Sequence, residues 1–175
     1  MARHAFTAAE IHRLFALLND ELATTDTQAE LYLVGGAVMC LAFGARESTR
    51  DVDAMFVPTR EVRSAAARVA AQAGVPETWL NDAVKSFLGD RGEFDPFLEL
   101  PQLRVFTARP EYLLALKCAA MRLGEEFSDL DDVRYLLRYL NLTSSREALE
   151  IVARYVGEDA IPVKTRLALE ELLDA

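Results

Sequence analysis

Two aspartates one residue apart, in Thr49-Arg50-Asp51-Val52-Asp53, are where chemistry is first legible in this sequence. On an extended strand, residues i and i+2 project from the same face. The carboxylates of Asp51 and Asp53 would then stand close enough to repel. A divalent cation relieves such repulsion, and Mg²⁺ binds through one or two carboxylates together with substrate phosphates. For an isolated pair, two solvated acids at a sheet end are the ordinary reading. Upstream, Gly35-Gly36 follows the β-prone run Glu30-Leu31-Tyr32-Leu33-Val34 and precedes an apolar helical stretch. Glycines at a strand-to-helix turn leave backbone amides and a helix N-terminus open to an anion. A Gly-Gly pair alone is commonly just a turn. A strand, a helix and a second strand of this length bring their ends together. A phosphate at Gly35-Gly36 could then share a metal with Asp51 and Asp53.

Further along, Lys117 is the one charged residue between Tyr112 and Met121. A lysine there either snorkels out of a buried helix or points its ammonium into a polar site. Asp129 and Asp132 follow, three apart and so on one helical face. Asp129 and Asp131 also suit a helix N-terminus, where negative charge complements the dipole.

These residues need elements to hold them. The spacing of Ile11, Leu14, Phe15, Leu18 and Leu22 predicts a helix over 8–24. A buried strand over 30–34 follows, then a helix over 37–43 stopped by Gly44, and a second strand over 49–57 closed by Pro58. Thr59 is placed to cap a helix that Gly74 ends, and a shorter helix is expected from 77 to about 88. Residues 89–101 read as loop because of Gly89, Gly92, Pro96 and Pro101, and a third strand is expected over 103–107. Pro110 opens a helix to about 122. Ser128 with Asp131 and Ser144 with Glu147 mark helices over 129–140 and 145–156, and Pro162 starts a last one. The order is mixed α/β over 1–107 and helical over 108–175. It predicts an α+β fold: a small mixed sheet packed with helices, then a helical C-terminal part packed on it as one compact unit.

Composition narrows the function. The 175 residues are 51% hydrophobic and 27% charged, as in an ordinary globular domain. No run is long and apolar enough to span a bilayer, and the N-terminus lacks a signal-peptide pattern, so no membrane partner and a cytoplasmic location are expected. Cys40 and Cys118, each in an apolar setting, read as buried thiols and not as a disulfide framework. A net charge of −9 argues against broad nonspecific binding to nucleic acid.

Taken together, Gly35-Gly36-Ala37, Gly44-Ala45-Arg46 and Ser48-Thr49-Arg50-Asp51-Val52-Asp53 resemble the signature of the polymerase-β-like nucleotidyltransferase superfamily. The resemblance is nearest to small bacterial proteins related to the AbiEii and MenT toxin nucleotidyltransferases. The segments Trp79-Leu80-Asn81-Asp82-Ala83-Val84-Lys85 and Pro110-Glu111-Tyr112-Leu113-Leu114-Ala115-Leu116-Lys117 are similar to one branch of that group. The likeness covers most of residues 30–140.

The resemblance implies the minimal nucleotidyltransferase fold and transfer of a nucleoside monophosphate from a nucleoside triphosphate to an acceptor hydroxyl, releasing pyrophosphate. It implies nucleotide binding by Gly35, Gly36, Arg46 and Thr49, and Mg²⁺ or Mn²⁺ on Asp51 and Asp53. It also implies a catalytic set of Asp51, Asp53, Lys117 and Asp132. Many superfamily members carry a third carboxylate on a neighbouring strand, and Glu99 and Asp95 are the nearest candidates. The acceptor is a tRNA, a protein or a small molecule, and a toxin of this kind would have an antitoxin protein as partner. The alternative is a catalytically silent nucleotidyltransferase-fold module that binds a partner protein. Fold alone does not choose between the two.

Overall fold

The structure is a computed structural model and describes residues 4–82, 91–123 and 129–175. The chain divides into two compact units, Met1–Ser86 with Phe94–Ala108, and Phe87–Glu93 with Arg109–Ala175. The architecture is mixed α+β, with a five-stranded mixed sheet in the first unit and helices in the second.

In the first unit, β1 (Phe6–Thr7) runs into α1 (Ala8–Thr24) through a capping box. The Thr7 hydroxyl accepts from the Glu10 amide at 3.3 Å, and the Glu10 carboxylate accepts from the Thr7 amide at 2.7 Å. The stripe Ile11, Leu14, Phe15, Leu18 and Leu22 is fully buried, as its spacing predicts. Next come β2 (Ala29–Val34), α2 (Gly36–Leu41), β3 (Ser48–Thr49), β4 (Val52–Val57) and α3 (Thr59–Ala73). After α3 come β5 (Leu80–Asn81), β6 (Phe94–Glu99) and β7 (Leu103–Ala108). The sheet order is β5-β4-β2-β7-β6, with β2 antiparallel to β4 and parallel to β7. One face, carrying Leu31, Leu33, Val52, Ala54, Phe56, Leu103 and Val105, is buried. α1 packs against β7, and α3 against β4. The other face carries Tyr32, Asp53, Met55 and Phe106, each half-buried.

Four expectations change. The strand expected over 49–57 is two strands: β3 pairs with β1, and the chain breaks at Arg50-Asp51 before β4 starts at Val52. The break is closed by the Thr49 hydroxyl, which donates to the Asp51 carbonyl at 3.2 Å. The loop expected over 89–101 contains β6, an edge strand that tolerates Pro96 and is bulged between Pro96 and Leu98. In place of the start of a helix at 77, a 3₁₀ turn (Glu77–Trp79) leads into β5; the remainder of that expected helix, 83–88, lies outside the described residues. Trp79 is fully buried and its indole N–H donates to the Ala66 carbonyl at 3.0 Å. Pro58, not Thr59, is the N-cap of α3, and the Thr59 hydroxyl donates back to the Phe56 carbonyl at 3.1 Å.

The second unit is built on α4 (Pro110–Ala119), against which α5 (Asp129–Tyr139) and α6 (Ser145–Val156) pack; α7 (Val163–Leu173) packs on α6. Pro110 is the first residue of α4, and the Ser144 hydroxyl caps α6 by accepting from the Glu147 amide at 3.2 Å. The expected cap Ser128 lies outside the described residues. Buried Thr165 donates to the Cys118 carbonyl at 2.6 Å, tying α7 to α4. Both cysteines are buried and free, and burial pushes the Cys118 thiol up to about 12. Among the described residues, no helix is long and apolar enough to cross a membrane.

Candidate functional site

Gly35 ends β2 and is the N-cap of α2 with φ 72° and ψ −151°, a conformation that residues with a Cβ avoid. A Cβ built there would lie 3.1 Å from Asp53 Oδ2. The register explains this closeness, because Val34 is the β2 partner of Asp53. The turn therefore rides directly over the Asp53 carboxylate. At Gly36 the crowding is greater: a Cβ would meet Arg46 Nη1 at 2.6 Å and Thr49 Oγ1 at 2.7 Å. The bare backbone of Gly36 is what lets a guanidinium and a hydroxyl converge on the turn.

Thr49 is held from two sides. It pairs with Phe6 across β1 and β3, and its hydroxyl bonds the Asp51 carbonyl. It is only 7% exposed. The first unit thus brings together Gly35, Gly36, Arg46, Thr49 and Asp53: two side-chain-free backbone positions, a cation, a hydroxyl and a carboxylate. Asp51 is half-buried and precedes β4, so the strand pleat does not set it on the face of Asp53, as the sequence had suggested.

Neither candidate for a third carboxylate stands beside Asp53. Asp95 pairs with Thr107, whose β2 partner Leu33 pairs in turn with Ala54, so Asp95 belongs to the opposite, core face. Glu99 pairs with Arg104, and the same row runs through Glu30 to Val57, at the far end of β4. Among the described residues no three His, Cys, Asp or Glu side chains form a metal cluster. The residue that does stand next to Asp53, on the side away from Val34, is Asn81, its partner on β5. Sequence reasoning passed over it because a two-residue strand offers no period to read.

The second unit holds Lys117 and Asp132, and they are together. Lys117 Nζ lies 2.7 Å from Asp132 Oδ2 and 3.5 Å from Asp129 Oδ1, with side-chain exposures of 10%, 3% and 5% respectively. Asp129 also accepts from the Arg122 amide at 3.0 Å and from Arg122 Nε at 2.8 Å. Among the described residues, Lys117 and Arg122 face Asp129 and Asp132 in this network. Burial of Asp129 pushes its carboxyl up, but the Arg122 hydrogen bonds, helped by the charges of Lys117 and Arg122, outweigh this and hold it below its ordinary value. Asp129, which the sequence offers both as a site acid and as a complement to the helix dipole, pairs with both Lys117 and Arg122.

The chain matches no protein-family model, no curated protein and no solved structure.

Proposed function

We propose that this chain is a metal-dependent nucleotidyltransferase with the minimal nucleotidyltransferase fold. It would transfer a nucleoside monophosphate from a nucleoside triphosphate to an acceptor hydroxyl. The observation that carries this reading is the crowding at Gly36, where Arg46 and Thr49 converge on a turn that also covers Asp53. A turn stripped of side chains and a permanent cation match the needs of phosphate oxygens, and the Thr49 hydroxyl joins them by turning from the Asp51 carbonyl. A carboxylate in the same cluster would repel a bare triphosphate, so the set makes chemical sense with a hard cation between them.

The donors on hand for such a cation are oxygens, of which the Asp53 carboxylate lies under the Gly35 turn. Asp51 and Asp53 would hold Mg²⁺ or Mn²⁺, which when bound neutralises the triphosphate and its pyrophosphate leaving group. Arg46 and Thr49 bind phosphate oxygens and fix the α-phosphate in line with the acceptor. Gly35 and Gly36 let the backbone approach closely. Catalysis of this kind is mostly positioning and charge neutralisation. Lys117 and Asp132 join the proposed catalytic set on the resemblance alone; their mutual ion pair is the contact their geometry supports.

The acceptor is a tRNA, a protein or a small molecule, and an antitoxin protein is the proposed partner if the enzyme is a toxin. The net charge of −9 favours an acceptor that is not gripped by a broad basic surface. Incubation with each α-labelled nucleoside triphosphate, Mg²⁺ or Mn²⁺ and pooled acceptors tests the proposal. Label transfer with pyrophosphate release is expected. Absence of both, in protein shown to be folded by circular dichroism, would overturn it in favour of the catalytically silent binding module.

A further inference from the structure

We infer that Asn81 is a neutral third ligand of the divalent-cation site, completing the set begun by Asp51 and Asp53. This rests on the proposed function, and it names a residue that this reading does not otherwise use. Val52 pairs with Leu80 and Asp53 with Asn81 in parallel register. Paired residues share a sheet face, and the chains run about 4.8 Å apart. Leu80 and Val52 are both buried on the core face, while Asp53 and Asn81 are both half-buried on the other. Asn81 is therefore beside Asp53, on the side away from Val34.

The position is firmly built for so short a strand. Trp79, two residues earlier, is fully buried and bonded to the Ala66 carbonyl of α3. Asp82, the next residue, is ion-paired with Arg63 of the same helix. Asn81 is thus clamped on both sides by α3. The residue type also matters. An amide oxygen is a good ligand for a hard cation and adds no negative charge. With Asp95 and Glu99 placed elsewhere by the register, Asn81 supplies a neutral oxygen, not a third carboxylate, beside Asp53. The lower ligand charge weakens metal binding in the absence of nucleotide and makes occupancy depend on the triphosphate's own oxygens. As a ligand without charge, Asn81 couples metal binding to substrate.

The test is titration of Mn²⁺ alone, without nucleotide, followed by electron paramagnetic resonance of the free ion. The parent is compared with Asn81→Asp, Asn81→Ala and Asp53→Asn, each checked for folding by circular dichroism. Asn81→Asp is expected to tighten Mn²⁺ binding about tenfold by adding ligand charge, and Asn81→Ala to weaken it severalfold. Equal affinity in the parent and both Asn81 variants, with binding lost in Asp53→Asn, would overturn the role of Asn81 and leave the proposed function standing. Binding unchanged in Asp53→Asn as well would instead remove the metal site and the proposed function with it.

Discussion

Gly36 leaves no space for a side chain, and the neighbours that fill that space are two polar groups, the Arg46 guanidinium and the Thr49 hydroxyl. A methyl group at 36 must displace both, and flexible Arg46 gives way more easily than Thr49, which is anchored in β3. Gly36→Ala is therefore expected to fold while weakening nucleotide affinity about tenfold, measured by fluorescence titration with a labelled triphosphate. Gly35→Ala acts differently, because its backbone conformation is the obstacle. It is expected to lower stability by about 1–3 kcal/mol in urea unfolding, whether or not nucleotide is present. A stability equal to the parent's would contradict the strain. Asp53→Asn keeps the shape and removes the charge, and is expected to lower label transfer by about 100-fold or more in the acceptor assay.

The helices of the second unit are joined by charge as well as by apolar packing. Lys117 of α4 is paired with Asp132 and Asp129 of α5, all largely buried. Lys117→Met would remove the buried cation that lies within 3.5 Å of both carboxylates. Urea unfolding should show a loss of about 3–5 kcal/mol, and Asp132→Leu in that background should restore part of it. Full stability in Lys117→Met would show that the network holds nothing together. The acid limb follows from Asp129. Its folded carboxyl is held below the ordinary value, so its contribution is complete above the unfolded value of about 3.9 and is lost as pH falls through the depressed folded value. Stability measured from about pH 6 down to about pH 2 should therefore fall less steeply in Asp129→Asn than in the parent.

Element by element, legibility in the sequence tracked periodicity. α1 is plain from its apolar stripe, α6 from its Ser144–Glu147 cap, and α3 and α7 from the breakers Gly74 and Pro162 that bound them. β2 and β7 were plain as buried runs bounded by breakers. β5 and β6 were hidden: the first is two residues long, and the second carries Pro96 and a bulge that only an edge position tolerates. The same limit shaped the site. Gly35, Gly36 and Asp53 group from local spacing, because β2 and β4 are joined by one short helical connection, whereas Arg46 and Thr49 enter only with the resemblance. Asn81 could not be grouped with them, since its place depends on a crossover through α3 that brings a distant strand back beside β4. Asp95 and Glu99 looked like suitable carboxylates by distance along the chain, and only the register shows that one faces the core and the other lies at the wrong end.

At the scale of the whole molecule, the proposed function has an acidic chain gather an arginine, a hydroxyl and a glycine turn over one aspartate so as to accept an anion with its counter-cation. Binding of that pair to the folded state alone would raise stability by about 2.7 kcal/mol at a ligand concentration of 100 times Kd. The rise in Tm should require triphosphate and Mg²⁺ together. The most direct measurement needs no knowledge of the acceptor: calorimetric titration of a non-hydrolysable nucleoside triphosphate into the parent protein and Asp53→Asn, with and without Mg²⁺. The account predicts Mg²⁺-dependent binding to the parent that is lost in Asp53→Asn. Binding of equal strength in both proteins, or none to a folded parent, would contradict it.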